Sequence, residues 1–421
     1  MNTDLKNKLW AMIDENPNEV LGLCSDLIKI NSENPPGEME IITDFICTFL
    51  EKYNIEYEII RPEPNIPNIV ARIGSKDGKK LVLNGHSDVV PVGKIEGWDF
   101  DPFSGEIKDG ILYGRGASDM KAGLGGLLYS LMVIARENIK LQGEVILTIV
   151  PDEEVSGLNG TKWLVENKIA AGDACIIAEP TCHYNCEIGQ KGSTWLKIWA
   201  KGIPAHGSLS PFAGENAIER LLKVIENIKK IKDIQVNLPE DVKAVMVQSK
   251  ELAKEKMLKQ KGAEYVLDHI SFNLGRISGG TKVNMVPDYA EAEIDMRIPL
   301  GVTTDMVAEK VAFLIEESGV PGIDFSFSWF SNPNHTDAKA EIVEKVAENV
   351  KDVMGIELQR TYQWASSDAR FFRYAGIPTL QYGPANLEGI HAYNETVQTQ
   401  EVIDCTKVYI GAILDFLGVE A

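Results

Sequence analysis

Short apolar segments alternate with helical segments through the first part of this chain. The apolar segments include "NIVARIG", "KKLVLNGHSDVV", "GEVILTIVPDEE" and "DACIIAEPT". Between them lie "KAGLGGLLYSLMVIARENI" and "NGTKWLVENKI", in which apolar residues recur at helical spacing. Near-continuous apolar strands joined through helices are typical of sheets buried on both faces. We therefore predict an α/β fold with a mostly parallel mixed sheet and helices on both faces.

The pattern changes near residue 188 and returns near residue 334. "KGSTWLKIWAKG" alternates as a half-exposed antiparallel strand does, and the segments after it read helix, strand, strand, helix and strand. This βαββαβ order predicts a ferredoxin-like domain inserted into the first. The expected boundaries are 1–187 and 334–421 for the split domain and 188–333 for the insertion. A charged helical stretch at about 237–268 has no role that its sequence reveals.

Composition restricts the partners of the chain. Its 421 residues carry a formal net charge of −20, which disfavours nucleic acid and anionic membranes as partners. No apolar run reaches the roughly 18–20 residues that span a bilayer. The charged, helix-like N-terminal segment does not resemble a signal peptide, so we expect a cytoplasmic protein.

The six cysteines do not form a disulfide framework in a chain of this length. Only Cys182, His183 and Cys186 are clustered, and no second pair with zinc-finger spacing follows them. Buried or surface thiols are the expectation, with a small structural zinc site as the alternative.

Polar side chains follow successive predicted strands, where α/β proteins bind their ligands. Singly, each is compatible with a solvated loop residue or a satisfied core histidine. Together they form a mixed nitrogen and oxygen donor set that suits zinc or a similar divalent ion. The residues are His86, Asp88, Asp119, Glu153, Glu154, Glu179 and His391. If two ions are bound, Asp119 is central enough in the chain to bridge them.

Six motifs in order resemble the two-zinc amidohydrolase family of acetylornithine deacetylase, succinyl-diaminopimelate desuccinylase, aminoacylase and glutamate carboxypeptidase. They are "GHSDVVP", "GRGASDMKAG", "PDEEVSG", "AEPT", "KGIPAHGS" and "GIHAYNE". The resemblance covers nearly the whole chain. It implies that the inserted domain serves as a lid or a dimerisation domain.

The resemblance also implies a role for each metal-site residue. His86, Asp119 and Glu179 would hold one ion, while Asp119, Glu154 and His391 would hold the other. The ions would be zinc, with cobalt or manganese as alternatives. The peptide bond after Asp119 would be cis.

Two further carboxylates have implied roles beside the ions. Asp88 would hydrogen-bond the far nitrogen of His86 and fix its tautomer. Glu153 would act as general base and take a proton from a water that bridges the ions, which turns that water into hydroxide. It would then return the proton to the departing amine.

Residues of the inserted domain would complete the site. His206 would stabilise the oxyanion, in many relatives from a second subunit. Asn284 and Arg297 match segments that bind the substrate carboxylate, which suits a forked guanidinium. Arg297 could instead pair with a surface acid. Ser366, Ser367 and Asp368, in "WASSDARFF", also match a segment near the site but have no assigned role.

The sequence therefore predicts a metal-dependent hydrolase that cleaves the amide bond of an N-acyl amino acid and functions as a homodimer. A dipeptidase or carboxypeptidase with the same ions and base is the alternative within the class. A binding protein that keeps the fold without turnover is the alternative outside it.

Overall fold

The computed structural model describes residues 2–257 and 261–420, and the chain divides into two compact units. The first unit contains Met1–Ile188, His335–Thr361 and Ser367–Ala421. The second contains Gly189–Asn334 and the short segment Tyr362–Ser366. The second unit thus interrupts the first at two places in the sequence.

Eleven α-helices lie in the described residues. They are α1 (Asn2–Glu15), α2 (Pro17–Lys29), α3 (Glu40–Lys52), α4 (Lys121–Arg136), α5 (Thr161–Glu166), α6 (Ala217–Ile228), α7 (Glu240–Leu252), α8 (Thr304–Glu317), α9 (Glu341–Met354), α10 (Ala369–Tyr374) and α11 (Thr399–Leu417).

Sixteen β-strands lie in the same residues. They are β1 (Glu56–Ile60), β2 (Asn68–Gly74), β3 (Lys80–His86), β4 (Ile107–Lys108), β5 (Ile111–Tyr113), β6 (Glu144–Val150), β7 (Ala174–Ile177), β8 (Asn185–Gln190), β9 (Gly192–Lys201), β10 (Ser271–Gly279), β11 (Tyr289–Ile298), β12 (Ile323–Ser331), β13 (Asn334–His335), β14 (Gln359–Gln363), β15 (Thr379–Gln381) and β16 (Thr396–Gln398).

The main sheet of the first unit is mixed, as predicted. Its strands follow the order β1-β2-β6-β3-β7-β15-β8-β13, with β14 paired to β8. The four central strands, β6, β3, β7 and β15, run parallel, whereas β1, β2 and β8 pair antiparallel with their neighbours. The carboxyl ends of four neighbouring strands therefore meet at one edge of the sheet.

Helices cover both faces of this sheet, which explains why its central strands are apolar without alternation. All seven residues of β6 are buried. On one face Val82 and Ile146 pack in a cluster with Leu164 of α5 and Phe372 of α10. On the other face, a Cβ added at Gly85 would contact Leu124 of α4. The two-sided sheet predicted from the sequence is confirmed.

The second unit has the predicted βαββαβ order. Its four strands form an antiparallel sheet in the order β10-β11-β9-β12, the ferredoxin-like arrangement. Asn216 caps α6 by accepting hydrogen bonds from Ile218 N and Glu219 N, and Thr303 caps α8 through Met306 N. The buried residues of α6 and α8 share one apolar core with alternate residues of the strands.

The charged stretch at about 237–268 is helical in its described part, and residues 258–260 lie outside that part. Helix α7 is followed by a π-helical turn, Ala253–Met257, and a 3-10 turn, Ala263–Val266. Lys191 Nζ donates to the carbonyl oxygens of Val266 and His269 at 2.6 and 2.7 Å. This buried lysine ties the end of the stretch to the start of the second unit.

Among the described residues, no helix is both long enough and apolar enough to span a membrane.

Helix α4 approaches the sheet closely enough that only glycine fits at residue 123. A Cβ on Gly123 would overlap the main-chain oxygen of Ala178, which cannot move without displacing the end of β7. We expect Gly123→Ala to lower the free energy of unfolding by about 1–3 kcal/mol, as overpacked sites do. The measurement is the urea midpoint of unfolding.

Gly22→Ala in α2 is the matched control, because nothing lies within 4 Å of its added Cβ. That control should stabilise the helix by up to about 1 kcal/mol. Equal midpoints for Gly123→Ala and the wild type would contradict the prediction.

Candidate metal centre

Strand register brings three of the predicted ligands to one edge of the main sheet. His86 ends β3 and lies opposite Val150, the last residue of β6. Asn84 lies opposite Ile177, the last residue of β7, so Glu179 follows at the level of His86. Glu154 lies in the turn directly after β6. Each side chain is thus delivered by the end of a buried parallel strand.

The remaining two ligands are delivered by a separate small sheet. Strands β16, β5 and β4 pair in that order, with Thr396 opposite Tyr113. Asp119 follows β5, and His391 precedes β16. Because the two strands pair, the segments that carry Asp119 and His391 lie together although they are far apart in sequence.

The five side chains form two groups that share Asp119. In one group, Asp119 Oδ1 lies 3.1 Å from His86 Nε2, which lies 3.9 Å from Glu179 Oε1. In the other group, His391 Nε2 lies 3.3 Å from both Asp119 Oδ2 and Glu154 Oε2. Within each group the ligand atoms lie within 4.8 Å of one another. The two oxygens of Asp119 therefore face different groups, which is the arrangement a bridging carboxylate needs.

The carboxylates carry more negative charge than this buried site can stabilise alone. Burial, together with the charge of Asp119, raises the pKa of Glu179 well above its usual range, and the same two causes raise the pKa of Glu154. Hydrogen bonds to Asp119 and Glu154 raise the pKa of His391 to about 10. Burial opposes the charge on His86, yet bonds to Asp119 and Asp88 hold its pKa well above the ordinary value.

These shifts share one direction, since the site favours added positive charge. Imidazole nitrogens and carboxylate oxygens are the ligands that zinc and similar divalent ions take. The donor set, its burial and the shared aspartate thus fit a pair of divalent ions.

Asp88 contacts His86 through two of its oxygens. His86 Nδ1 lies 2.9 Å from the main-chain oxygen of Asp88 and 3.4 Å from Oδ1. The carboxylate also accepts hydrogen bonds from Asn34 Nδ2 and from the main-chain N–H groups of Glu153 and Glu154. Asp88 therefore orients both a predicted ligand and the loop that carries the predicted base.

Glu153 lies beside the ligands but belongs to neither group. Burial, with the charges of Glu179 and Asp368, raises its pKa well above the usual range. A carboxylate with a raised pKa is a stronger proton acceptor, which is the property that a general base requires.

Glu395, which had no role predicted from the sequence, fixes the main chain at Asp119. This fully buried carboxylate accepts hydrogen bonds from Ser118 N at 2.8 Å and Asp119 N at 3.0 Å. Its other oxygen accepts from Arg115 Nη1 at 2.6 Å. Both Glu395 and Arg115 lie in motifs noted above, "GIHAYNE" and "GRGASDMKAG". Their position in these motifs was the signal in the sequence that could have pointed to a role at the site. The Asp119–Met120 peptide bond is cis, as the resemblance implied.

His206, Asn284 and Arg297 belong to the second unit. Gly207 N donates to Asn284 O at 2.8 Å, so the loops that carry His206 and Asn284 are paired. His206 is exposed, and its Nδ1 lies 2.7 Å from Ser208 Oγ and 3.3 Å from Ser208 N. Asn284 precedes β11, which begins at Tyr289. Arg297 lies near the other end of this strand, about 27 Å from Tyr289 at the usual rise per residue. Arg297 Nε donates to Asp295 Oδ2 at 3.0 Å.

The cysteine cluster does not add a metal site within the described residues. The only ligand groups found there are the two that share Asp119, and neither Cys182 nor Cys186 belongs to them. All six cysteines lie buried in this part of the chain.

A model of "Peptidase family M20/M25/M40" matches residues 82–415. The chain is 25% identical to a succinyl-diaminopimelate desuccinylase from Thioalkalivibrio sulfidiphilus over 94% of this chain and 98% of the relative. It is 28% identical to aminoacylase-1 from Dictyostelium discoideum, over 96% of this chain and 98% of the relative.

Solved structures share the fold. A metallo-carboxypeptidase of the M20 family from Sulfolobus solfataricus superposes with a TM-score of 0.79 at 22% identity, covering 94% of this chain and 98% of that one. Human carnosine dipeptidase 1 superposes with a TM-score of 0.75 at 16% identity, covering 98% and 99%. The family match and the named enzymes among the relatives confirm the expectation of a hydrolase. The chain belongs to peptidase family M20/M25/M40.

Proposed function

We propose that this enzyme removes the acyl group from an N-acyl amino acid by hydrolysing its amide bond with two bound divalent ions, most suitably zinc. The observation that carries the proposal is the pair of ligand groups that share Asp119 at the carboxyl edge of the sheet. The full-length similarity to a desuccinylase and an aminoacylase supports the acyl amino acid as substrate.

Each side chain then has a defined task. When bound, the two ions supply a water of lowered pKa and polarise the amide carbonyl. Glu153 accepts the proton of the attacking water and delivers it to the departing amine. Asp88 holds Glu153 through its main-chain N–H and keeps the His86 ring oriented.

A dipeptide is the alternative substrate. The fold similarity to a carnosine dipeptidase and a metallo-carboxypeptidase favours it, because a terminal peptide bond needs the same ions and the same base. The two substrate classes differ in the group on the acyl side, so they differ in the pocket and not in the chemistry.

The second unit would supply the oxyanion donor and the carboxylate clamp. With its Nδ1 bonded to Ser208, the His206 ring would carry a proton on Nε2, which can stabilise a developing oxyanion. Asn284 and Arg297 lie near opposite ends of β11, too far apart for one copy to hold one small carboxylate between them. We therefore propose a homodimer through the second unit, in which Asn284 and His206 serve the site of the partner copy. A cytoplasmic location, with no nucleic acid or membrane partner, fits this small-molecule chemistry and the charge of −20.

Replacing the base should stop turnover without removing the ions. We expect Glu153→Gln to lower kcat by about 10²–10⁴-fold, because the amide cannot accept a proton. Metal content, measured by elemental analysis, should stay at the wild-type value. Glu154→Gln is the matched control and should lose metal as well as activity, since Glu154 is a ligand. Wild-type turnover by Glu153→Gln would reject the base assignment.

A substrate panel separates the two classes. We expect chelator-sensitive release of free amino acid from N-acetyl or N-succinyl amino acids, with a kcat/KM at least about tenfold above that for dipeptides of the same residue. Amine release can be followed by a colorimetric assay. A preference for dipeptides would select the alternative, and hydrolysis that survives complete metal removal would reject the metal-dependent mechanism.

Mixing two inactive variants tests the homodimer. His206→Ala should lower kcat by about 10²–10³-fold, as loss of an oxyanion donor does. If His206 serves the partner copy, mixing it with Glu153→Gln restores activity at the sites that have both residues. The matched control is His269→Ala, because His269 is also on the second unit but bonds to Asp268. His269→Ala should keep wild-type turnover. No recovery in the mixture, with subunit exchange verified, would contradict the shared site.

A further inference from the structure

The loop between β6 and α5 carries both Glu153 and Glu154, yet apolar burial does little to hold it. Pro151 at its start is buried, but the two apolar side chains near its middle, Val155 and Leu158, are 46% and 39% exposed. Its main chain is also strained, because Ser156 has a φ of +142° and Gly157 follows with +67°. A loop with these properties opens easily unless polar contacts hold it.

Polar contacts hold the two ends of the loop. At the start, the carboxylate of Asp88 accepts from the main-chain N–H groups of Glu153 and Glu154 at 3.3 and 3.2 Å. At the end, Asp152 Oδ2 accepts from Asn159 N and Gly160 N at 2.9 and 3.0 Å. The strained apex at Ser156 and Gly157 lies between these two anchors.

The apex is contacted by a segment more than 200 residues away in sequence. Arg370 Nη2 donates to the main-chain oxygen of Ser156 at 2.7 Å, and Nη1 donates to Ser367 O at 2.7 Å. Arg370 is only 5% exposed, so these charge-assisted bonds are shielded from water. The second bond fixes the guanidinium to the first turn before α10.

The same segment closes over Gly157. Asp368 is fully buried, and a Cβ added at Gly157 would overlap its carboxylate oxygen. The glycine therefore allows both the positive φ and the close approach of Asp368. The segment Ser367–Arg370, which had no role in the sequence analysis, packs on the apex of the loop that carries the predicted base.

We propose that Arg370 is a positioning residue: by bonding Ser156 O it holds the strained apex of the Glu153–Glu154 loop and so keeps both carboxylates in place. The kinetic consequence of this proposal rests on the amide hydrolysis proposed above. The mechanical part, that Arg370 restrains the loop, needs neither substrate nor metal.

The test compares Arg370→Met with Arg373→Met by amide hydrogen exchange in the metal-free full-length protein. Arg373 is the matched control, because it is a buried arginine of the same helix whose guanidinium bonds Thr379 O and Glu187 O instead. We expect Arg370→Met to raise exchange in peptides covering 152–160 by about tenfold or more, the effect of losing a charge-assisted hydrogen bond. Arg373→Met should leave exchange in these peptides at the wild-type rate. Equal exchange in Arg370→Met and the wild type, or an equal rise in both variants, would overturn the proposal.

Kinetics distinguish positioning from substrate binding. In the metal-loaded enzyme, Arg370→Met should lower kcat by about 100-fold, the cost of a displacement near 1 Å, with KM within about threefold of the wild type. Arg370→Lys should recover part of kcat, since one ammonium can keep the bond to Ser156 O. An unchanged kcat with a raised KM would overturn the proposal in favour of substrate binding. If Arg370→Met does not fold, Arg370→Lys takes its place and should show a smaller rise in exchange.

The two proposals can fail separately. A wild type that hydrolyses neither N-acyl amino acids nor dipeptides would reject the proposed function, while the exchange comparison would still decide whether Arg370 holds the loop.

Discussion

The structure depends on placing several carboxylates at one buried sheet edge, where each raises the free energy of charging its neighbours. In the described part of the chain, Asp119, Glu154 and Glu179 face two imidazoles there, and burial together with the charge of Asp119 raises the pKa values of Glu154 and Glu179. Divalent cations relieve this repulsion, because they supply the positive charge that the two histidines do not. The charge imbalance is thus the physical basis of the metal site, and binding of ions also stabilises the folded state.

Carboxylates outside the two ligand groups hold the loops that carry the predicted ligands. Asp88 accepts the main-chain N–H groups of the Glu153–Glu154 loop, and Glu395 accepts those of Ser118 and Asp119. Asp152 does the same at the end of the base loop. In each case, a buried acceptor satisfies main-chain donors that no strand or helix pairs. The ligands are therefore held by their main chain, and their side chains can face the ions.

The sequence predicted the parts of the site that depend on strand register. β3, β6 and β7 are rich in apolar residues and almost entirely buried, so their ends, and with them His86, Glu154 and Glu179, could be placed from pattern alone. The pattern also selected Asp119 and His391, but it could not show what brings them to this edge, because the pairing of β5 with β16 involves three-residue strands without a clear period. The family resemblance then implied the ligand role of each. Glu395 and Arg370 received no role, since bonds from a side chain to a distant main chain leave no spacing in the sequence.

The register of the main sheet positions residues that are proposed to carry out the hydrolysis. The residues that are proposed to bind the substrate lie outside that sheet. Three of the five predicted ligands, His86, Glu154 and Glu179, follow central parallel strands, whose positions change little when surface loops change. His206 and Asn284 lie on paired loops of the second unit, and Arg297 is the last of a row of charged residues on one face of β11. Relatives at 25% and 28% identity are named as a desuccinylase and an aminoacylase, so similarity at this level does not select one substrate. If the proposed function is correct, the choice between acyl groups therefore lies with residues outside the strand ends of the main sheet, and the loops of the second unit that carry His206 and Asn284 are the first place to change it.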